Sequence, residues 1–119
     1  MKNVLLALIV LGAAGCALSG PTAEQLAQAD CGAAPGADYR EQIRGWFHET
    51  LYDPFSAKYE AGAPCRAWWN AGAFVRDFSY GWGVQVRVNA KNQMGGYTGW
   101  RGYIAYFKDG RLAVVQERK

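Results

Sequence analysis

The sequence predicts an α+β fold, with one amphipathic helix packed on a 3–5-stranded antiparallel sheet in two layers. Three observations carry this. Residues 38–52 space their apolar side chains by threes and fours, residues 82–88 alternate with period two, and residues 108–111 spell a tight hairpin turn. With 119 residues, half of them hydrophobic, the chain suits one domain. Charged residues at 19% and aromatics at 14% mark a globular composition, with five Trp and seven Tyr as bulky anchors.

The first 15 residues read as a signal peptide. Lys2 is a short basic start, and Val4 to Ala14 is an apolar run of 11 residues, too short for the roughly 20 that span a bilayer. Ala13-Ala14-Gly15-Cys16 resembles the lipobox of bacterial lipoproteins, which makes Cys16 a lipidated N-terminus carrying chains such as palmitate. Ala13 departs from the Leu usual there, and Leu11 sits two positions earlier. The alternative is ordinary cleavage with Cys16 left as a thiol, a liability in an oxidising compartment. Ala17 after the cysteine, instead of Asp, resembles a sorting signal for the outer membrane.

Cys31 and Cys65 remain, an even pair in an exported chain, and the expectation is a disulfide. Such a bridge would stabilise by roughly 4 kcal/mol in the chain-entropy estimate. Residues 16–37 are rich in Ala, Gly and Gln and read as a lipidated tether, with a reach near 25 Å over about twenty residues. Thr22 and Gln25 have capping-box spacing for a helical turn or two, although nothing apolar would hold it.

The globular domain spans residues 38–119. Asp38 and Glu41 have capping-box spacing, and Tyr39, Ile43, Trp46, Phe47, Thr50 and Leu51 fall on one helical face, predicting a helix from Asp38 to Tyr52. Pro54 ends it. Asp53 to Ala57 is a turn with Phe55 tucked under the helix end, and Lys58 to Ala61 a short strand. Residues 66–69 and 74–78 read as strands, the second leading into a bend at Ser79-Tyr80-Gly81. Trp82, Val84, Val86 and Val88 then point one way and Gly83, Gln85 and Arg87 the other, a half-buried strand. Trp100 to Lys108 is apolar on both faces, hence an interior strand. Asp109-Gly110 fits a type I′ turn that pairs Phe107 with Leu112, Ala105 with Val114 and Ile104 with Val115.

Two stretches resemble a group of small bacterial lipoproteins and secreted proteins. Asp53-Pro54-Phe55-Ser56-Ala57-Lys58 is similar to their DPxSAk segment, and residues 88–99 to their VNAKNxxGGYTG signature. The resemblance covers about residues 38–117. That family is uncharacterised and implies no activity, but it marks the loop from Asn89 to Gly99 as a hallmark.

Enzyme signatures are missing from the pattern: no nucleophile elbow, no metal-spaced His/Cys cluster, no phosphate loop. His48, the sole histidine, reads as a surface residue, Glu41 and Glu49 as outer helix positions, and Asp53 and Asp109 as turn residues. No catalytic residue, metal or cofactor is expected. In the loop, Asn89, Lys91, Asn92, Tyr97 and Thr98 either converge on a ligand or hold the loop's own backbone. Charge divides the chain: residues 16–65 hold three basic and seven acidic side chains, residues 66–119 nine and three. The two halves either attract one another or present a basic sheet to an anionic partner. The expectation is a non-enzymatic lipoprotein of the cell envelope, on the outer membrane and facing the periplasm, acting as a structural or assembly partner. The alternative is a module binding a small ligand, a glycan or an anionic lipid through the loop; nucleic acid is not an expected partner.

Overall fold

The computed structural model describes residues 20–72 and 77–118. The signal peptide, Cys16 and the part of the 74–78 strand at residues 74–76 lie outside these residues. In chain order the elements are α1 (Ala23–Gln28), α2 (Tyr39–Thr50), β1 (Asp53–Ala61), β2 (Cys65–Asn70), β3 (Phe78–Lys91), β4 (Tyr97–Lys108) and β5 (Arg111–Glu117). They form a five-stranded antiparallel sheet with two short helices.

Among the described residues two helices stand where one was expected, because the weak capping signal at Thr22 is realised. Thr22 Oγ1 accepts from the Gln25 N–H at 3.1 Å, and Gln25 Oε1 accepts from the Thr22 N–H at 2.9 Å. Polar contacts, not apolar ones, hold this turn: the Arg66 guanidinium donates to the carbonyls of Leu26 and Ala29. Further on, Trp82 Nε1 donates to the Gly32 carbonyl at 3.1 Å. The distal part of the stretch expected as a tether is therefore bound to the sheet, from Leu26 to Gly32, through these hydrogen bonds.

In α2, Tyr39, Ile43 and Phe47 are buried while Glu41, Arg44, His48 and Glu49 are exposed, the division that helical spacing predicts. They join Val84, Val86, Val88, Ala105 and Phe107 in one core cluster. The Asp38 cap bond is not made. Asp38 accepts instead from Gln42 Nε2 (3.2 Å), which also donates to the Gly110 carbonyl (2.9 Å), while Gln42 Oε1 accepts from the Leu112 N–H (2.9 Å). Gln42 thus ties the helix to the β4–β5 hairpin. The helix stops at Thr50, since Leu51 is already extended (ψ 150°).

The sheet order is β1-β3-β4-β5, with β2 also pairing β3. Strands β1 and β2 lie end to end on one edge of β3, opposite Val86–Lys91 and Phe78–Gly83 respectively. Tyr39 Oη donates to the Gly62 carbonyl (3.0 Å), fixing the break between them. The bend expected at Ser79–Gly81 is regular strand, because Ala67, Trp68 and Trp69 of β2 pair with it there. β4 is interior, as its two apolar faces predicted.

Asp109 (φ 52°) and Gly110 (φ 82°) make the predicted turn, and Phe107 pairs with Leu112. Beyond that the register differs: Ala105 pairs with Val115, Ile104 with Gln116 and Tyr106 with Val114. The irregularity leaves Ala113 as an extra residue, a bulge. It lets both Leu112 and Val115 face the core, which an uninterrupted strand could not do at that spacing.

The expected disulfide is not formed: Cys31 is buried, Cys65 exposed, and both are free. Cys65 lies opposite Gly83, so its side chain leaves the sheet on the face away from Trp82. The backbone next to Cys31 is fastened instead at Gly32, whose carbonyl accepts from the Trp82 indole.

Candidate functional site

The expected loop is shorter than residues 89–99, because β3 runs to Lys91 and β4 begins at Tyr97. Residues 92–96 reverse the chain. Asn92 organises this turn. Its Oδ1 accepts from the N–H groups of Met94 (2.9 Å) and Gly96 (3.3 Å), and its backbone N–H donates to the Gly96 carbonyl (2.9 Å). Gly95 sits at φ 81°, a conformation that favours glycine.

A second irregularity follows, where Asn89 pairs with Trp100 but Lys91 pairs with Tyr97. The extra residue falls on β4, and Gly99 takes φ 95° there. The bulge frees the Gly99 N–H, which donates to Asn89 Oδ1 at 3.1 Å, while Thr98 Oγ1 donates to the Ala90 carbonyl at 3.2 Å. Of the predicted binding residues, then, Asn89, Asn92 and Thr98 hold the hairpin's own backbone.

Tyr97 and Lys91 do something else. Tyr97 Oη donates to the Ser56 carbonyl (3.1 Å), and Lys58 Nζ lies 4.9 Å from the Tyr97 ring centre, with Lys91 Nζ at 5.3 Å. Asp53 pairs with Lys91 across the sheet. The DPFSAK segment and the VNAKN…GGYTG segment, distant in sequence, therefore build one end of the sheet together. β1 reaches this point through a wide bulge, since Pro54 to Ala57 intervene between the Asp53–Lys91 and Lys58–Asn89 pairs.

That bulge corrects the expectation for Phe55. It does not tuck under the helix: it is 86% exposed, edge-on to His48 at 4.7 Å. The other large exposed hydrophobics among the described residues are Tyr52 (69%), Met94 (91%), Tyr97 (43%) and Trp100 (41%). All five belong to the same end of the sheet. Arg87 lies over Trp100 at 4.9 Å and pairs with Glu60 at 2.9 Å; with both partners more than half exposed, the ion pair adds little.

Among the described residues no three His, Cys, Asp or Glu side chains come together. Burial raises the phenol pKa of Tyr59, opposed by Arg44, and that of Tyr106, opposed by Arg118. Tyr59 Oη is buried without a hydrogen-bond partner.

Sequence reasoning missed a second feature, on the sheet face away from α2. A groove of about 770 Å³ is lined there by Ala67, Trp69, Gly83, Ile104 and Tyr106, with Leu26, Trp68 and Arg66 at its margin. The signal was the doubly apolar β4 segment: Tyr103, Ala105 and Phe107 serve the core, leaving Ile104 and Tyr106 for the other side.

No protein-family model matches the chain, and neither does a curated protein or a solved structure.

Proposed function

We propose that this protein is a non-enzymatic, lipid-anchored protein of the cell envelope that acts as an assembly or interaction partner. On this reading Cys16 carries the lipid, α2 and the sheet form a two-layer domain, and the end formed by Phe55, Met94, Tyr97 and Trp100 docks the partner.

One observation carries the reading: five exposed large hydrophobics gather at a single end. Scattered apolar surface residues are ordinary, whereas a cluster marks a contact surface. Trp, Tyr, Phe and Met with neighbouring Arg are the residue types enriched in protein interfaces. Position supports the same reading. Gly20 lies against the Trp68 ring, and Trp68 pairs with Tyr80 near the start of β3. The aromatic end is at Lys91, roughly 36 Å away at the usual rise of a strand. An anchor just upstream of Gly20 would hold one end of the sheet and present the other. The alternative, a ligand site in the loop, loses its amides to the backbone and keeps Lys91 and Tyr97.

Crosslinking with mass spectrometry on intact cells tests the docking. The expected result is a neighbour joined to residues 52–58 or 92–100 and lost in the Phe55→Ala, Trp100→Ala double variant. Unchanged crosslinks in that variant would exclude this surface. For the anchor, Cys16→Ala should release the protein from membranes; retention at high salt would refute the lipid.

A further inference from the structure

Charge is divided along the sheet as well as along the sequence. Asp30, Asp38, Asp77 and Asp109 gather around the start of β3 and the β4–β5 turn, where Arg66 and Lys108 are occupied by backbone carbonyls. The opposite end is basic. Counting back from the turn at residues 92–96, Lys91, Lys58, Arg101 and Arg87 stand on the rungs of β3 residues 91, 89, 88 and 87. Asp53 and Glu60 are the acids of these rungs, and Glu60 is taken by Arg87 in the one ion pair among the described residues. Lys58, Lys91 and Arg101 therefore hold charges that no ion pair neutralises. The two ammonium groups lie 4.9 and 5.3 Å from the centre of a single Tyr97 ring.

Residues 92–100 carry no charge. Met94 stands almost fully exposed at the apex, Tyr52 lies just beyond the last rung, and Phe55, Tyr97 and Trp100 share the level of the cations. An uncharged apex followed by aromatic rings among Lys and Arg is the order of polarity across a membrane–water interface. Tyr and Trp rings sit there at headgroup level, and long basic side chains reach toward the phosphates. Anionic lipid strengthens such a contact about fivefold for each Lys or Arg near the surface. Shape favours the same occupant. The exposed apolar side chains stand on three segments, with Tyr52 and Phe55 at the start of β1, Met94 in the turn and Tyr97 and Trp100 on β4. They surround the end instead of lining one face. A folded protein partner meets one face at a time, whereas a headgroup layer closes around a tip.

We propose that this end of the sheet seats in the headgroup layer of an anionic phospholipid bilayer. Met94 enters deepest, Tyr97 and Trp100 lie at the interface, and Lys58, Lys91 and Arg101 meet the lipid phosphates. The proposal rests on the docking end assigned above and names its partner as a lipid surface.

The test floats residues 16–119 carrying Cys16→Ser, which contain every element of the fold, on brominated phosphatidylcholine vesicles with or without phosphatidylglycerol. Flotation on the anionic vesicles is expected, and on phosphatidylcholine alone it should be at least about tenfold weaker. Lys58→Ala with Lys91→Ala should weaken binding roughly 25-fold, a factor of about five for each charge, with Tm unchanged. Met94→Asp, at an exposed apex, should weaken it at least about tenfold. Trp68, Trp69 and Trp82 stand at the other end of the sheet, so Trp100→Phe should still float but lose most of the bromine quenching. No flotation, equal flotation on neutral vesicles, or quenching unchanged in Trp100→Phe each overturns the proposal. No flotation, with crosslinks lost in the Phe55→Ala, Trp100→Ala variant, would keep the docking end and give it to a protein. No flotation with crosslinks unchanged would remove the docking end as well. A dimer that Met94→Asp dissociates, without flotation, would give the end to a second copy.

Discussion

Phe47 and Phe55 are the same residue type, eight positions apart, with opposite fates. Phe47 is fully buried, its ring 4.9 Å from Tyr103 and 5.9 Å from Tyr59, whereas Phe55 is 86% exposed. The difference teaches that this small domain concentrates its stability under α2. At the far end of the sheet apolar surface is left out, and the backbone there is held by polar side chains.

The comparison is broken most severely by Phe47→Ala. Truncating a fully buried Phe costs about 3–5 kcal/mol, a large part of the stability of a domain this size. Urea denaturation should show the midpoint collapsing, and a loss below about 1 kcal/mol would mean that the core lies elsewhere.

At the hairpin the effects are smaller and differently caused. Gly95→Ala forces a Cβ into positive φ and should cost on the order of 1–2 kcal/mol. Asn92→Ala leaves two N–H groups without their acceptor; both groups are exposed, so about 1 kcal/mol is expected. Either change should lower Tm by several degrees. Lys91→Ala should move Tm hardly at all, since its ammonium only lies over an exposed ring. Equal losses for Asn92→Ala and Lys91→Ala would show that the loop is not held by the Asn92 amide.

Alkaline titration probes the phenols of Tyr59 and Tyr106. The folded-state pKa values of Tyr59 and Tyr106 are raised, so the unfolded chain releases those protons first. Stability should hold below about pH 10, the ordinary phenol pKa, and fall as pH rises from there through the raised values. Tyr59→Phe removes a buried hydroxyl that has no partner and should be neutral or slightly stabilising while weakening the alkaline loss. A steeper alkaline loss in Tyr59→Phe would contradict this assignment.

The smallest expected change is Phe55→Ala, within about 0.5 kcal/mol of wild type because the ring is exposed. A larger loss of Tm would mean that the aromatic end is structural, and the contrast with Phe47 would weaken.

Much of the fold was legible because its causes are local. The spacing of Tyr39, Ile43 and Phe47 reports a helix face; the alternation of Val84, Val86 and Val88 reports a strand face; Asp109-Gly110 reports a turn. The hairpin segment stood out in the sequence, but residue type alone left its amides open to both a ligand and a scaffold role, with the scaffold favoured. That choice depends on which backbone groups the bulge at Gly99 frees from the ladder, a matter of pairing register and not of residue type.

The sequence by itself determined the helix and strand faces, the type I′ turn and the interior position of β4. Each follows from backbone periodicity within a few residues. Tertiary structure alone decided which cysteine is buried, how β1 and β2 share one edge of β3, that the two motif segments meet at Tyr97, and that a groove lies beside β2 on the face away from α2. These are contacts between segments far apart in the chain. Their geometry is set by strand register and by which face each side chain is given, neither of which any short stretch contains.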